Sequence, residues 1–132
     1  MIKGGKTILR PLNKKDFSII HKWLNDAEVM VYWYGQDKPR SKDWVKNHFN
    51  PAIEGKVNYS YWTIEVGKRP IGYMANTAEK GDDGLFMGRV ELDILIGEKS
   101  MWEKGYGSDA LRVMINYAFK KQGAQRVFLT PR

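Results

Sequence analysis

The chain contains no cysteine, which excludes disulfides, thiolate metal sites and cysteine nucleophiles. Its two histidines, His21 and His48, are poor material for a metal centre or a serine–histidine triad, so no metal is expected. No apolar run approaches the roughly 20 residues that span a bilayer, and the N-terminus lacks a signal-peptide core. The expectation is a cytoplasmic protein with no membrane partner. There is also no repeat, linker or break in composition, and 132 residues suit one domain, residues 1–132.

What the chain does have is a globular composition, 42% apolar and 13% aromatic, enough to build a core rather than a disordered chain. Its net charge is +7. That favours an anionic partner, whether nucleic acid or a phosphate-rich cofactor, but a well-solvated surface explains it equally. The lysines (Lys14-Lys15, Lys42, Lys46, Lys68, Lys80, Lys120-Lys121) are scattered and not interleaved with aromatics. A dedicated nucleic-acid face therefore ranks last.

Periodicity predicts an α+β chain in the order β-α-α-β-β-β-α-β. Residues 7–12 read as a strand ending near Pro11. Asn13 caps a helix with Asp16 three residues on, and Phe17, Ile20, His21 and Leu24 share one face; His21 reads as a half-buried structural histidine. After Asn25-Asp26, residues 29–35 form an aromatic segment. Ser41 caps a second helix to about Phe49, with Trp44, Val45 and His48 inward. Residues 59–66 and 71–77 pair as a hairpin around Gly67-Lys68-Arg69-Pro70, and residues 79–88 read as a loop. In the strand at 89–96, Val90, Leu92, Ile94 and Ile96 face one way, and Glu91, Asp93 and Leu95 the other. Gly107 or Ser108 opens a helix to about Gln122 with a stripe of Leu111, Met114, Ile115, Ala118 and Phe119. Gly123 ends it, and residues 126–129 form a last strand.

The segment Trp102-Glu103-Lys104-Gly105-Tyr106-Gly107-Ser108 lies between a strand and a helix start. A helix N-terminus has unpaired N–H groups and a positive dipole end, and two glycines allow a backbone to close on an anion such as a diphosphate. The same glycines also make an ordinary strand-to-helix loop, and spacing alone does not decide between the two. A P-loop is excluded because Gly-Lys-Ser/Thr is absent. A dinucleotide fingerprint fails because Ala110 stands where its third glycine belongs.

Over the whole chain the sequence resembles the GNAT N-acetyltransferase superfamily. The segment ELDILIGEKSMWEKGYGSDAL (91–111) is similar to that superfamily's acetyl-CoA motif, Arg/Gln-x-x-Gly-x-Gly/Ala, with Trp102 at the Arg/Gln position. Leu9-Arg10-Pro11-Leu12 matches its opening strand and residues 66–72 its central hairpin. Trp23-Leu24-Asn25, residues 31–35 and Asp93 look like the aminoglycoside 6′-N-acetyltransferase branch. Related siderophore-pathway acyltransferases share these features. The implied fold is a mixed central sheet flanked by helices, without the superfamily's C-terminal part. After the last strand the superfamily continues into an asparagine turn, a helix bearing a tyrosine and two more strands, whereas this sequence ends at Arg132. Thr130 stands where the 6′ branch tends to carry an aspartate. A longer source protein, or completion by a second copy in a homodimer, would supply the missing part.

The resemblance implies acetyl-CoA as cosubstrate and the primary amine of a small cationic acceptor as partner. An aminoglycoside ranks first, ahead of a ribosomal-protein N-terminus, a polyamine or a siderophore precursor; an inactive CoA-binding fragment is the other reading. It also implies that the peptide groups of Ile94, Leu95 and Ile96 pair with the pantetheine arm, and that Glu103, Lys104, Gly105, Tyr106, Gly107 and Ser108 meet the diphosphate. A neutral amine is the nucleophile, so a carboxylate must take its proton. Asp93 is the first candidate and Glu91 the second; both also fit a solvated strand face paired with Arg89 and lysines. Trp33 and Tyr34, with Asp93, would shape the acceptor pocket, though tryptophan and tyrosine here also fit core packing.

Overall fold

The computed structural model describes residues 1–30 and 39–129. The elements are β1 (Ile2–Lys3), β2 (Ile8–Pro11), a 3-10 turn (Lys14–Asp16), α1 (Phe17–Leu24), α2 (Ala27–Met30), α3 (Lys42–Ile53), β3 (Tyr59–Val66), β4 (Arg69–Lys80), β5 (Phe86–Ile96), a second 3-10 turn (Lys99–Met101), α4 (Tyr106–Lys120) and β6 (Arg126–Leu129). The strands form one sheet in the order β1-β2-β3-β4-β5-β6. Every neighbouring pair is antiparallel except β5 and β6. The expected α+β architecture and its antiparallel middle are therefore present. No helix among the described residues is long and apolar enough to cross a membrane.

Local chemistry accounts for the boundaries. Asn13 caps the first turn as a reciprocal box, accepting from Lys15 N while its own N–H donates to Asp16. Ser41 Oγ accepts from Trp44 N at 3.0 Å and starts α3. Gly67 and Lys68 both have positive φ, the two-residue turn that matches strand twist, so Arg69 and Pro70 already belong to β4. Pro70 sits opposite a register irregularity at Ile64/Glu65, where a missing N–H does little harm. The loop expected at 79–88 is shorter: pairing continues to Lys80↔Phe86, because two adjacent extended segments satisfy each other's backbone groups even where alternation has faded.

The sheet is packed on both faces. On one, Leu9, Ile64, Ile71, Met74, Val90 and Leu92 meet Ala110, Met114 and Ala118 of α4. On the other, Tyr73 and Leu95 meet a cluster from α1, α2 and α3 that includes Ile20, Trp23, Leu24, Val45 and Phe49. Of the expected faces, Met114, Ala118, Leu111 and Ile115 of α4 and Val45 of α3 do pack on the core, while Phe119, Trp44 and His48 need correction. α4 presents Ala110, Met114 and Ala118 to the sheet, while Phe119 is exposed, since two alanines let the helix approach closely. In α3, Val45 and Phe49 are buried while Trp44 and His48 lie outside; the i, i+4 pair fills the space over Tyr73. His21 is half-buried, as expected.

Candidate active site

β5 leads into the glycine turn through a fixed corner. A Cβ on Gly97 would collide with the indole of Trp23, and the buried Glu98 accepts from Trp23 Nε1 at 2.6 Å and from Arg69 at 2.8 Å. Burial pushes the Glu98 carboxyl up, but those donors and Lys22 outweigh it and hold it below its ordinary value. The chain then reaches Glu103 (φ +61°) and Gly105 (φ +83°), both left-handed, and α4 starts at Tyr106. A left-handed residue followed by a right-handed one aims successive N–H groups into a concavity suited to an anion.

Gly105 caps α4 without a side-chain hydrogen bond. Among the described residues, no side chain accepts from the N–H groups of Tyr106, Gly107 or Ser108. These donors are available to a ligand. A Cβ at Gly107 would make only ordinary contacts, 3.8 Å from Ile96 and 3.9 Å from Ile94, so packing does not demand glycine there. The same contacts place the turn against the end of β5. Glu103, Lys104, Gly105 and Ser108 are exposed, and Tyr106 and Gly107 half-buried. From Ser108 a groove of about 910 Å³ runs along α4 past Leu111, Ile115 and Phe119 to Leu129, with Arg112 and Lys120 among its lining residues.

β6 pairs with β5 only from Arg89 to Leu92. Beyond Leu92 the β6-side edge of β5 has no strand partner among the described residues. Gly97 N–H donates to Ile71 O across the β4 side; by ladder alternation the peptide groups of Ile94 and Ile96 then face the other edge. Of the three residues expected to offer peptide groups to a pantetheine arm, Leu95 needs correction. Its carbonyl is turned toward Gly72 on β4, because alternate residues of an antiparallel strand face opposite neighbours. Trp102, at the Arg/Gln position, folds back so that Nε1 donates to Ile96 O at 2.8 Å. The open edge thus consists of the Ile94 peptide groups and the Ile96 N–H.

Asp93 and Glu91 lie half-buried on the opposite face from Leu92 and Ile94. Register aligns Tyr61, Ala75 and Asp93 across β3, β4 and β5, and Tyr59, Thr77 and Glu91 one step further out. Among the described residues the result is a strip of Ala75 and Thr77 forming a trough between an aromatic row and an acidic row, about 10 Å apart at two strand spacings. The aromatic wall is reinforced from α3. Tyr61 Oη lies 3.2 Å from His48 Nε2, His48 stacks on Trp44 with centroids 4.5 Å apart, and Arg40 covers Trp44. Burial pushes the Tyr61 phenol well up, and the charges of Tyr59 and Asp93 add to it. Burial, aided by the charge of Arg40, pushes His48 down; both groups are therefore neutral near pH 7.

Trp33 and Tyr34 lie outside the described residues. Tyr59, Tyr61, His48 and Trp44 were not singled out as pocket residues from sequence. The signal available was the matching i, i+2 spacing of Tyr59/Tyr61 and Glu91/Asp93, which becomes a shared face only once the strands are in register.

Comparison with known proteins identifies the family and agrees with the fold. Residues 6–131 match the family described as an acetyltransferase (GNAT) domain; the chain belongs to the GNAT acetyltransferase family. It is 22% identical over 130 residues to the aminoglycoside N(6')-acetyltransferases type 1 of Klebsiella pneumoniae and Serratia marcescens, covering 93% of this chain. It spans 64% of the length of those relatives. Among solved structures, AAC(6')-Ib with coenzyme A superposes with a TM-score of 0.80 at 19% identity, over 95% of this chain and 74% of that one. Spermidine N-acetyltransferase from Vibrio cholerae, with CoA and spermine, superposes with a TM-score of 0.77 at 20% identity, over 94% and 70%.

Proposed function

We propose that this chain binds acetyl-CoA and transfers its acetyl group to a primary amine of a small cationic acceptor, an aminoglycoside first among them. One observation carries the reading: the uncapped first-turn amides of α4 abut the open edge of β5, on the strand that carries Asp93. Family membership supports it, as does the aminoglycoside activity named for the relatives.

Acetyl-CoA supplies an activated thioester. The N–H groups of Gly105 to Ser108 hold its diphosphate, and the Ile94 peptide groups with the Ile96 N–H hold the pantetheine arm as an added strand. An acceptor ammonium enters the trough between Tyr61 and Asp93. Asp93 takes its proton, directly or through one water, and the freed amine attacks the acetyl carbon. The C–N bond forms, the C–S bond breaks, and the proton shed by the new amide nitrogen passes, directly or through water, to the departing thiolate. Glu91, two residues away on the same face and about 7 Å along the strand, attracts a second positive charge of the acceptor.

That spacing also suits a polyamine, and the spermine-bound neighbour favours it as the second acceptor class. Titration calorimetry with acetyl-CoA, followed by thiol-release assays with kanamycin and with spermidine, tests both. Binding with faster turnover of kanamycin is expected. No binding at millimolar acetyl-CoA overturns the proposal, and binding without thiol release reduces it to cofactor capture.

A further inference from the structure

A lysine far away in sequence stands over the glycine turn. Between β1 and β2 the chain makes a tight turn, with Gly4 N–H donating to Thr7 O at 2.7 Å. This turn is pressed onto the start of α4: a Cβ on Gly4 would clash with the Asp109 carboxylate and the Val113 side chain. Asp109 is 2% exposed and collects the turn's donors. Its Oδ1 accepts from Gly5 N at 3.1 Å, and its Oδ2 accepts from Lys6 N at 3.0 Å, Thr7 N at 2.9 Å and Thr7 Oγ1 at 2.7 Å. Arg112 adds an ion pair at 2.9 Å.

With Lys6's backbone fixed in this way, its side chain reaches the turn that precedes α4. Lys6 Nζ donates to Lys104 O at 3.2 Å and lies 3.0 Å from where a Cβ of Gly105 would be. One of the three ammonium donors is used there, leaving two for another acceptor. Meanwhile the buried Asp109 carboxylate in the first turn of α4 has its oxygens occupied by five donors, and Arg112 among them offsets its charge.

We propose that Lys6 is a phosphate-binding residue of the CoA site, delivered by the Asp109 clamp to the diphosphate held at Gly105–Ser108. The inference rests on the reading of that turn given above. It supplies a mobile point charge beside the fixed dipoles of the helix start, and it ties the N-terminal turn to cofactor occupancy.

The test is calorimetry of CoA and of dephospho-CoA, which lacks the 3′-phosphate, on the full chain and on Lys6→Met and Lys6→Arg. Lys6→Met is expected to weaken CoA roughly 5- to 20-fold at low salt. The deficit should shrink near 0.5 M NaCl as the charge is screened, and Lys6→Arg should recover most of it. Equal loss with dephospho-CoA identifies the diphosphate; a loss confined to CoA overturns the assignment. If the unaltered chain binds CoA and Lys6→Met binds equally, Lys6 is only a structural tie and this inference fails alone. If the unaltered chain binds no CoA, the reading of the turn fails with it. A fall in melting temperature with salt-independent loss of affinity also counts against the proposal.

Discussion

Tyr61 and Asp93 occupy one register line across three strands, with Ala75 at the position between them. An aromatic face and a carboxylate thus confront each other across a gap floored by the smallest side chain that can fill a strand position, which is a geometry for a cation carried on an apolar body.

Ala75→Leu should close that gap. Loss of acceptor binding is expected, with KM for kanamycin raised at least about tenfold while CoA affinity stays as it was. Steady-state kinetics beside calorimetry separates the two. An unchanged acceptor KM would place the acceptor elsewhere.

Asp93→Asn keeps the shape and removes the proton acceptor. Turnover should fall on the order of 100-fold or more, with CoA binding retained and the loss partly relieved at high pH, where free amine is more abundant. Glu91→Gln should act mainly on acceptor KM. If the two variants exchange these effects, Glu91 is the base.

Gly107→Ala separates folding from binding. The methyl meets only ordinary contacts and alanine favours a helix, so stability should hold or rise by up to about 1 kcal/mol. CoA affinity should nevertheless drop roughly tenfold or more, because the backbone can no longer approach a diphosphate. Chemical denaturation and calorimetry on the same sample read both; undiminished affinity would show that the turn is not the phosphate site.

Acid should loosen the fold through its buried carboxylates. Burial raises Asp16, Glu98 and Asp109, yet Arg10, Asn13 and Thr63 around the first, Trp23 and Arg69 around the second, and Thr7 and Lys6 around the third hold all three below their ordinary values. A folded pKa below the unfolded one means that the unfolded chain binds protons first, so these groups stabilise fully above about pH 5 and their contribution is lost as pH falls below roughly 4. Urea midpoints from pH 7 to pH 3 should follow that course. Asp109→Asn should flatten part of it and cost about 2–4 kcal/mol at pH 7, since several buried donors lose a charged partner.

Elements governed by neighbours in sequence were legible before any coordinates. Alternation gave β3 its limits, side-chain caps started the helices at Asn13 and Ser41, and the glycine turn fell where the motif suggested. The faces of α3 and α4 were legible only in part, because the edge of an amphipathic helix's buried side depends on what the sheet brings to it: Phe49 rather than His48 finds Tyr73, and Phe119, placed in the inward stripe beside Ala118, is exposed. Within the site, Ile94 and Ile96 could be told from Leu95 only once the β4 register set the direction of each peptide. Asp109's grip on Lys6 spans 103 residues, a contact that no local pattern announces.

The two cores divide the labour of the site in a way that bears on how its specificity can change. The glycine turn is anchored to the α4 layer and the aromatic wall to the α1–α3 layer, with β4 and β5 as shared floor. On the function proposed above, substitutions beneath the aromatic wall would alter the choice of amine while the glycine turn stays intact. Under that proposal, selection could explore acceptors one side chain at a time without first surrendering the donor.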